Sequence, residues 1–306
     1  KHNWLDDPIK NQHVKKTHSQ AVPRGGGIVI FLATLLTAII ILDFDKYLSA
    51  IFLGATLLAV VGIIDDIYDL SPYVRLGTGL LASLIVVGAG IGIAYVSNPF
   101  GVGVIHLDQP QLTFNLFGAS HSIWILSSLF AVFFIMWNMN IVNWSKGVDG
   151  QLPGFVSVSC LFIAILANRF ADAPTQFNVA HLALIVSGAF AGLLVWNFYP
   201  QKIIPGYGAG SLAGYFLSIL AILSGAKVAT TLMVLAIPTA DGIFTIARRI
   251  LAGKSPFWGD RGHLHHKLID YYGWGKRRIA IFYILSSASL GILSLYLDTR
   301  GKIIAI

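Results

Sequence analysis

Three carboxylates crowd one short stretch, GIIDDIYDL: Asp65, Asp66 and Asp69. On a helix, Asp65 and Asp69 share a face, where like charges repel and, at a C-terminal end, oppose the helix dipole. Such a group is either a solvated helix end paired with Arg75 or a carboxylate site for a divalent cation or a proton, since crowded acids gain affinity for both. A second concentration lies in RRILAGKSPFWGDRGHLHHKLIDYYGWGKRR, where Arg261, His263, His265 and His266 stand in a cationic surround. Imidazole and guanidinium groups donate hydrogen bonds to phosphoryl oxygens and neutralise their charge. A phosphate or pyrophosphate site fits this loop better than zinc, for which no nearby Cys or carboxylate arrangement completes a site. It also fits better than a loop that is basic merely through its side of a membrane.

Weaker signals lie between these two. NWSKGVDGQLPG combines Asn143, Lys146 and Asp149 with glycines that permit close backbone approach to a ligand, or that serve a plain loop. PGYGAGS, residues 205–211, opens an apolar run; its backbone amides could hold an anion, or its small residues could let helices pack closely. Asp241 lies in AIPTADGIF, where an ionisable group inside an apolar run is a functional candidate, with a kinked helix end at Pro238 as the plainer reading.

The elements that must position these residues follow from composition. The chain of 306 residues is 56% hydrophobic and 11% charged, against about 25% charged in soluble domains. Its apolar runs have roughly the 20-residue length of membrane helices, so the expected fold is an all-α polytopic membrane protein, one domain over 1–306. About nine spans are expected, near 26–43, 47–64, 74–97, 121–142, 153–171, 177–198, 209–225, 227–247 and 278–297. With the N-terminus inside, only Lys46, Arg169, Lys227, Arg300 and Lys302 of the 21 basic residues fall outside. By the positive-inside rule the other face, which carries the motifs, is cytoplasmic. Segment 98–120 has no Lys or Arg and reads as a small external hairpin around a Gln-Pro turn. The basic excess belongs to cytoplasmic loops, not to nucleic-acid binding. The single cysteine, Cys160, lies in an apolar run and carries no chemistry. The closing GKIIAI reads as the opening of another apolar run.

In order, VPRGGG (22–27), DDIYD (65–69), NWSKGVDG (143–150), GYGAGS (206–211), PTAD (238–241) and HLHH (263–266) resemble the polyprenyl-phosphate N-acetylhexosamine-1-phosphate transferase family. The resemblance runs over nearly the whole chain and implies a first span ahead of LDDPIK, giving ten or eleven spans in an intact protein. It implies an enzyme of the plasma membrane that transfers a sugar 1-phosphate from a UDP-sugar, UDP-GlcNAc foremost, to a polyprenyl phosphate such as undecaprenyl phosphate. UMP is released, and the diphosphate-linked sugar serves cell-envelope glycan synthesis. It further implies a homodimer and magnesium or manganese as cofactor. Residue by residue, it places Asp65 and Asp66 at the reacting phosphates and adds Asp69 and Asp241 as catalytic acids. Asn143, Asp65 and Asp149 become the metal ligands. Asn143, Lys146, Asp149, Ser211, Arg261, His263, His265 and His266 become substrate contacts.

Two departures stand out. Relatives usually have GDxGS with a magnesium-binding acid where this chain has Gly208 within YGAGS, and many have DGxDG where this chain has KGVDG, with Lys146. The pocket is therefore more positive than its relatives' pockets, and close charges interact by several kcal/mol at an effective dielectric of about 20. Either Lys146 takes over part of the metal's charge-neutralising task, or the remaining oxygen ligands still hold magnesium. Two other function classes stay open: a weakened relative that binds polyprenyl phosphate or UDP-sugar without turnover, and a transporter. The gathering of polar groups at one surface speaks against transport.

Overall fold

The structure, a computed structural model, describes residues 4–7, 20–98, 103–116, 119–169, 174–224, 227–256 and 260–305. Lys1, Lys10, Lys15 and Lys16 of the basic count lie outside them. A short antiparallel pair, β1 (Leu5–Asp6) and β2 (Val22–Pro23), leads into α1 (Gly26–Ile41), α2 (Lys46–Tyr68) and α3 (Pro72–Gly88). Two antiparallel ribbons follow, β3 (Tyr95–Ser97) with β4 (Val104–His106) and β5 (Gln111–Leu116) with β6 (Ala119–Trp124). The remainder is helical: α4 (Ile125–Trp144), α5 (Gln151–Asn168), α6 (Pro174–Asn197), α7 (Gly206–Leu223), α8 (Lys227–Val234), α9 (Ala236–Leu251), α10 (Leu264–Asp270), α11 (Lys276–Tyr296) and α12 (Thr299–Ile304).

Among the described residues, six helices are long and apolar enough to cross a bilayer: α2, α4, α5, α6, α7 and α11. Helices α1 and α3 are apolar but shorter, at 16 and 17 residues. The expected eighth run, 227–247, is not a straight span: α8 and α9 meet at Leu235 with a bend of 85°. Pro238 supplies the reason. Its ring excludes the carbonyl one turn back, whereas in the first turn of a new helix its missing N–H costs nothing. The run 74–97 is likewise cut short, because α3 ends at Gly88 and 95–97 pair as a strand. The single hairpin expected across 98–120 is two ribbons, with Gln109-Pro110 between them; residues 99–102 and 117–118 lie outside the described residues.

Helix α7 is the core of the bundle, every residue from Gly206 to Ala221 being buried. Its small residues explain how α1, α2 and α4 all reach it. At Gly208 its backbone meets Gly27 of α1 and Gly62 of α2, and a Cβ at Gly62 would come within 2.6 Å of the Gly208 Cα. Small residues are what lets helices approach in lipid, where no hydrophobic force draws them together. Some buried donors inside the bundle bond back to their own helix, as Ser83 Oγ does to Gly79 O (2.8 Å) and Asn138 Nδ2 to Phe134 O (2.8 Å), which satisfies those donors without water. The outward faces carry Leu36, Ile40, Leu53, Leu129, Phe133 and Val195 exposed, as lipid contact requires.

The C-terminal ends of α2, α4 and α6 and the N-terminal ends of α1, α3, α5, α7 and α11 share one end of the bundle. Backbone and side-chain bonds tie them: Ile204 N donates to Pro23 O (2.9 Å) and Gly150 N to Asn197 Oδ1 (2.9 Å). The far ends of α5 and α11 meet where Arg169 Nη1 donates to Leu295 O (2.8 Å).

Candidate active site

The acid cluster is split by the end of α2. Asp65 and Asp66 are buried, whereas Asp69 terminates the helix in a left-handed conformation (φ 51°) with its side chain 77% exposed. Ser71 and Pro72 start α3 directly afterwards, the Ser71 side chain accepting from Val74 N and Pro72 sitting at the helix start, a favoured opening. This brings Arg75 back over the acids: Nε lies 2.6 Å from Asp65 Oδ1 and Nη2 2.6 Å from Asp69 Oδ1. Asp66 turns the other way and accepts from the Tyr207 amide in the first turn of α7 (3.0 Å).

Between these acids and α7 stands a cation. The Lys146 ammonium donates to Gly206 O at 2.6 Å, with Asp66, Asp65, Arg75 and Arg24 as its charged neighbours. Desolvation by burial draws its pKa down to about 8; Asp66 and Asp65 oppose the shift, and Arg75 and Arg24 add to it. Beside it, Arg75, Asn143, Tyr207 and Ser211 line a small cleft. The Tyr207 hydroxyl donates to Arg75 O (3.1 Å), and its ring lies under the Arg75 guanidinium at 5.5 Å. Asn143 Oδ1 is buried without a hydrogen-bond partner, an acceptor that a ligand could satisfy.

The histidines form the opposite wall. His263 and His265 stack with centroids 5.7 Å apart, and His265 and His266 lie 4.3 Å apart. Burial, then His266, His263 and Arg261, hold the His265 pKa well below the usual imidazole value, so it is neutral near pH 7. Its Nδ1 is buried without a partner. Asp241 stands behind this layer: Oδ2 is 2.9 Å from His263 Nδ1, and Oδ1 accepts from Leu264 N (2.8 Å) at the start of α10. Asp149 Oδ1 pairs with Lys276 Nζ (3.2 Å), and Oδ2 accepts from Gln201 N (3.2 Å). Arg261 is held by Asp270 through two bonds of 2.8 Å. It borders a cleft of about 690 Å³ lined also by Tyr199, Trp274, Lys276 and Arg277.

The donor set does not match a divalent ion held by acidic side chains. Among the described residues no three Asp, Glu, His or Cys side chains converge on one point. Of the expected ligands, Asp65 is taken by Arg75 and Asp149 by Lys276, two separate cations. The buried Asn143 Oδ1 is without a hydrogen-bond partner, and one amide by itself is a poor site for an ion that wants six oxygens.

The sequence profile of Glycosyl transferase family 4 matches residues 48–225, more than half of the chain. The chain belongs to this family. Its similarity extends to a probable undecaprenyl-phosphate N-acetylglucosaminyl 1-phosphate transferase of Bacillus subtilis, 27% identical over 89% of this chain and 72% of that protein. An undecaprenyl-phosphate alpha-N-acetylglucosaminyl 1-phosphate transferase of Haemophilus influenzae is 27% identical over 95% and 80%. A phospho-N-acetylmuramoyl-pentapeptide-transferase of Bacillus pumilus is 28% identical over 94% and 86%.

The region matched to family 4 runs from α2 to just past α7 and so contains the acids, Asn143, Lys146, Asp149 and Ser211; the Asp241 and histidine layers lie beyond it. Within this family 4 chain the structure gathers Asp65, Asp66, Lys146, Asn143 and Ser211 around the start of α7. It joins the histidines to them through Gly147, whose Cα abuts the His265 ring. Asp69 and Arg261 stay at the rim. Sequence reasoning missed Tyr207, Arg24 and Lys276 as members of the site. Position 208 faces the α1–α2 crossing, whereas the side chain of the adjacent Tyr207 lines the small cleft. A signal for Tyr207 was present, a lone bulky aromatic in an otherwise small-residue helix start.

Proposed function

We propose that this family 4 chain transfers an N-acetylhexosamine 1-phosphate from a UDP-sugar, UDP-GlcNAc foremost, to a polyprenyl phosphate. The observation that carries the reading is the convergence of buried Asp65 and Asp66 with Lys146, Arg75 and the histidine wall at the end of the bundle where α7 starts. An oxygen of the lipid phosphate attacks the β-phosphorus of the donor, the bond to the bridging oxygen breaks, and UMP departs with that oxygen. Such chemistry depends on positioning and on neutralising phosphoryl charge. Lys146 and Arg75 supply the charge, and Asp66, one oxygen fixed by the Tyr207 amide, takes the acceptor's proton. Asn143 and His265 present open polar atoms to the donor, and Asp241 positions His263. The lipid enters from the bilayer between helices.

The reaction faces the cytoplasm of a plasma membrane. Support comes from charge: Arg75, Lys146, Lys202, Arg248, Lys267 and Lys276 belong to the site's end of the bundle, whereas Lys46 and Arg169 belong to the other, the distribution that the positive-inside rule describes.

The test is UMP release by the purified chain in detergent with undecaprenyl phosphate and a panel of UDP-sugars. Lipid-dependent release establishes the transferase and names its donor. The second reading, a relative that binds without turnover, is favoured by the presence of Tyr207 and Lys146 where an acid-rich site would be expected. It predicts donor or lipid binding with no UMP.

A further inference from the structure

We propose that Lys146 is the resident cation of this site, so that the chain binds the phosphates of its ligand through the lysine ammonium and the Arg75 guanidinium and needs no divalent metal ion. The inference deepens the transferase reading and rests on it for the identity of the ligand.

Four observations carry it. The Lys146 ammonium already lies among the acceptors that would draw a metal ion, 2.6 Å from Gly206 O and beside Asp66 and Asp65. Every other buried carboxylate of the site is matched to its own cation or imidazole: Asp65 to Arg75, Asp149 to Lys276 and Asp241 to His263. Tyr207 ties these groups together, its amide donating to the Asp66 carboxylate and its hydroxyl to Arg75 O. An acid at position 208 would start from a helix crossing and not from the cleft, since a Cβ there lies 3.3 Å from Gly27 Cα and 3.4 Å from Gly62 Cα. An ammonium and a divalent ion repel each other strongly when desolvated, so the acids serve one or the other. Lysine and arginine bind phosphate without a metal, as a point charge and as a planar fork.

The test uses the full chain in detergent with Mn2+ as the probe of a metal site, followed by its paramagnetic resonance, and with UDP-GlcNAc titrated calorimetrically in magnesium or in excess chelator. The expected result is a Mn2+ spectrum that stays that of the free ion, and UDP-GlcNAc affinity equal in both buffers. Lys146→Gln then weakens UDP-GlcNAc by about tenfold or more, whereas Lys146→Arg retains it. The double variant Lys146→Asp with Tyr207→Asp gains Mn2+ binding. Stoichiometric Mn2+ binding by the unaltered chain, or chelator-sensitive affinity restored by magnesium, overturns the proposal. If UDP-GlcNAc binds in neither buffer, the transferase reading fails, and the Mn2+ measurements on the unaltered chain and the double variant still decide the resident-cation inference.

Discussion

The imidazole of His265 lies directly on the Cα of Gly147, so that a Cβ at position 147 would overlap Nε2 and both neighbouring ring carbons. The lysine-bearing loop after α4 and the histidine layer before α11 are thereby fitted to one another. Gly147→Ala is expected to displace His265 while leaving the helices in place, since the glycine sits in a loop. A misplacement of about 1 Å can cost about 10²-fold in rate. Turnover measured by UMP release should fall by that order with helicity and melting temperature near those of the unaltered chain; unchanged turnover would remove His265 from the site.

Asp241 accepts from both His263 and the Leu264 amide, and its replacement separates positioning from chemistry. Asp241→Ala leaves two buried groups without their acceptor, at about 1–3 kcal/mol each at most, and should lower both the melting temperature and the turnover. Asp241→Asn keeps one acceptor oxygen and is expected to fold nearly as well while turning over more slowly. A variant with lost stability and full turnover would show that this acid only holds the loop.

Lys146 gives the site a pH limit. Its pKa in the folded chain is about 8, below the ordinary 10.5, so the ammonium predominates below pH 8 and is lost as pH rises through that value. Ligand affinity that depends on the ammonium should fall by about tenfold for each pH unit above 8, because only the protonated fraction binds. Lys146→Arg, which stays charged, should flatten the curve. Calorimetric titration of UDP-GlcNAc between pH 7 and pH 9.5 checks both. Stability runs the opposite way: the unfolded chain holds this proton up to a higher pH, so burial of the ammonium opposes folding below pH 8 and ceases to do so as pH rises from 8 to 10.5.

The crossing of α1, α2 and α7 leaves little room for an added side chain. Gly62→Ala brings a Cβ within 2.6 Å of Gly208 Cα and should cost about 1–3 kcal/mol through overpacking. Gly208→Asp should cost more, since it adds an unpaired charge to the same crossing, and it should bring no metal binding. Melting in detergent ranks the two. A Gly208→Asp chain that folds normally and binds Mn2+ would contradict the helix register described above.

Much of this protein is determined locally. The length of the apolar runs dictates a helical bundle, because hydrocarbon cannot hydrogen-bond an exposed backbone, and the basic loops mark one end of it. The pairing of Arg75 with the acids at the end of α2 was also legible, since a Ser-Pro start folds that helix straight back over its neighbour. The tertiary structure decided what meets across helices: Asp66 with the Tyr207 amide, Lys146 with Gly206, and Gly147 with His265. It also decided that the run 227–247 bends at Leu235, because hydropathy measures length and not direction. The register of α7 is the sharpest case. One residue turns a helix by about 100°, so of two adjacent positions in Tyr207-Gly208 one enters the site and the other is closed inside a helix crossing. Motif order alone could not separate them, since the choice depends on which neighbouring helices pack against α7 and at what height.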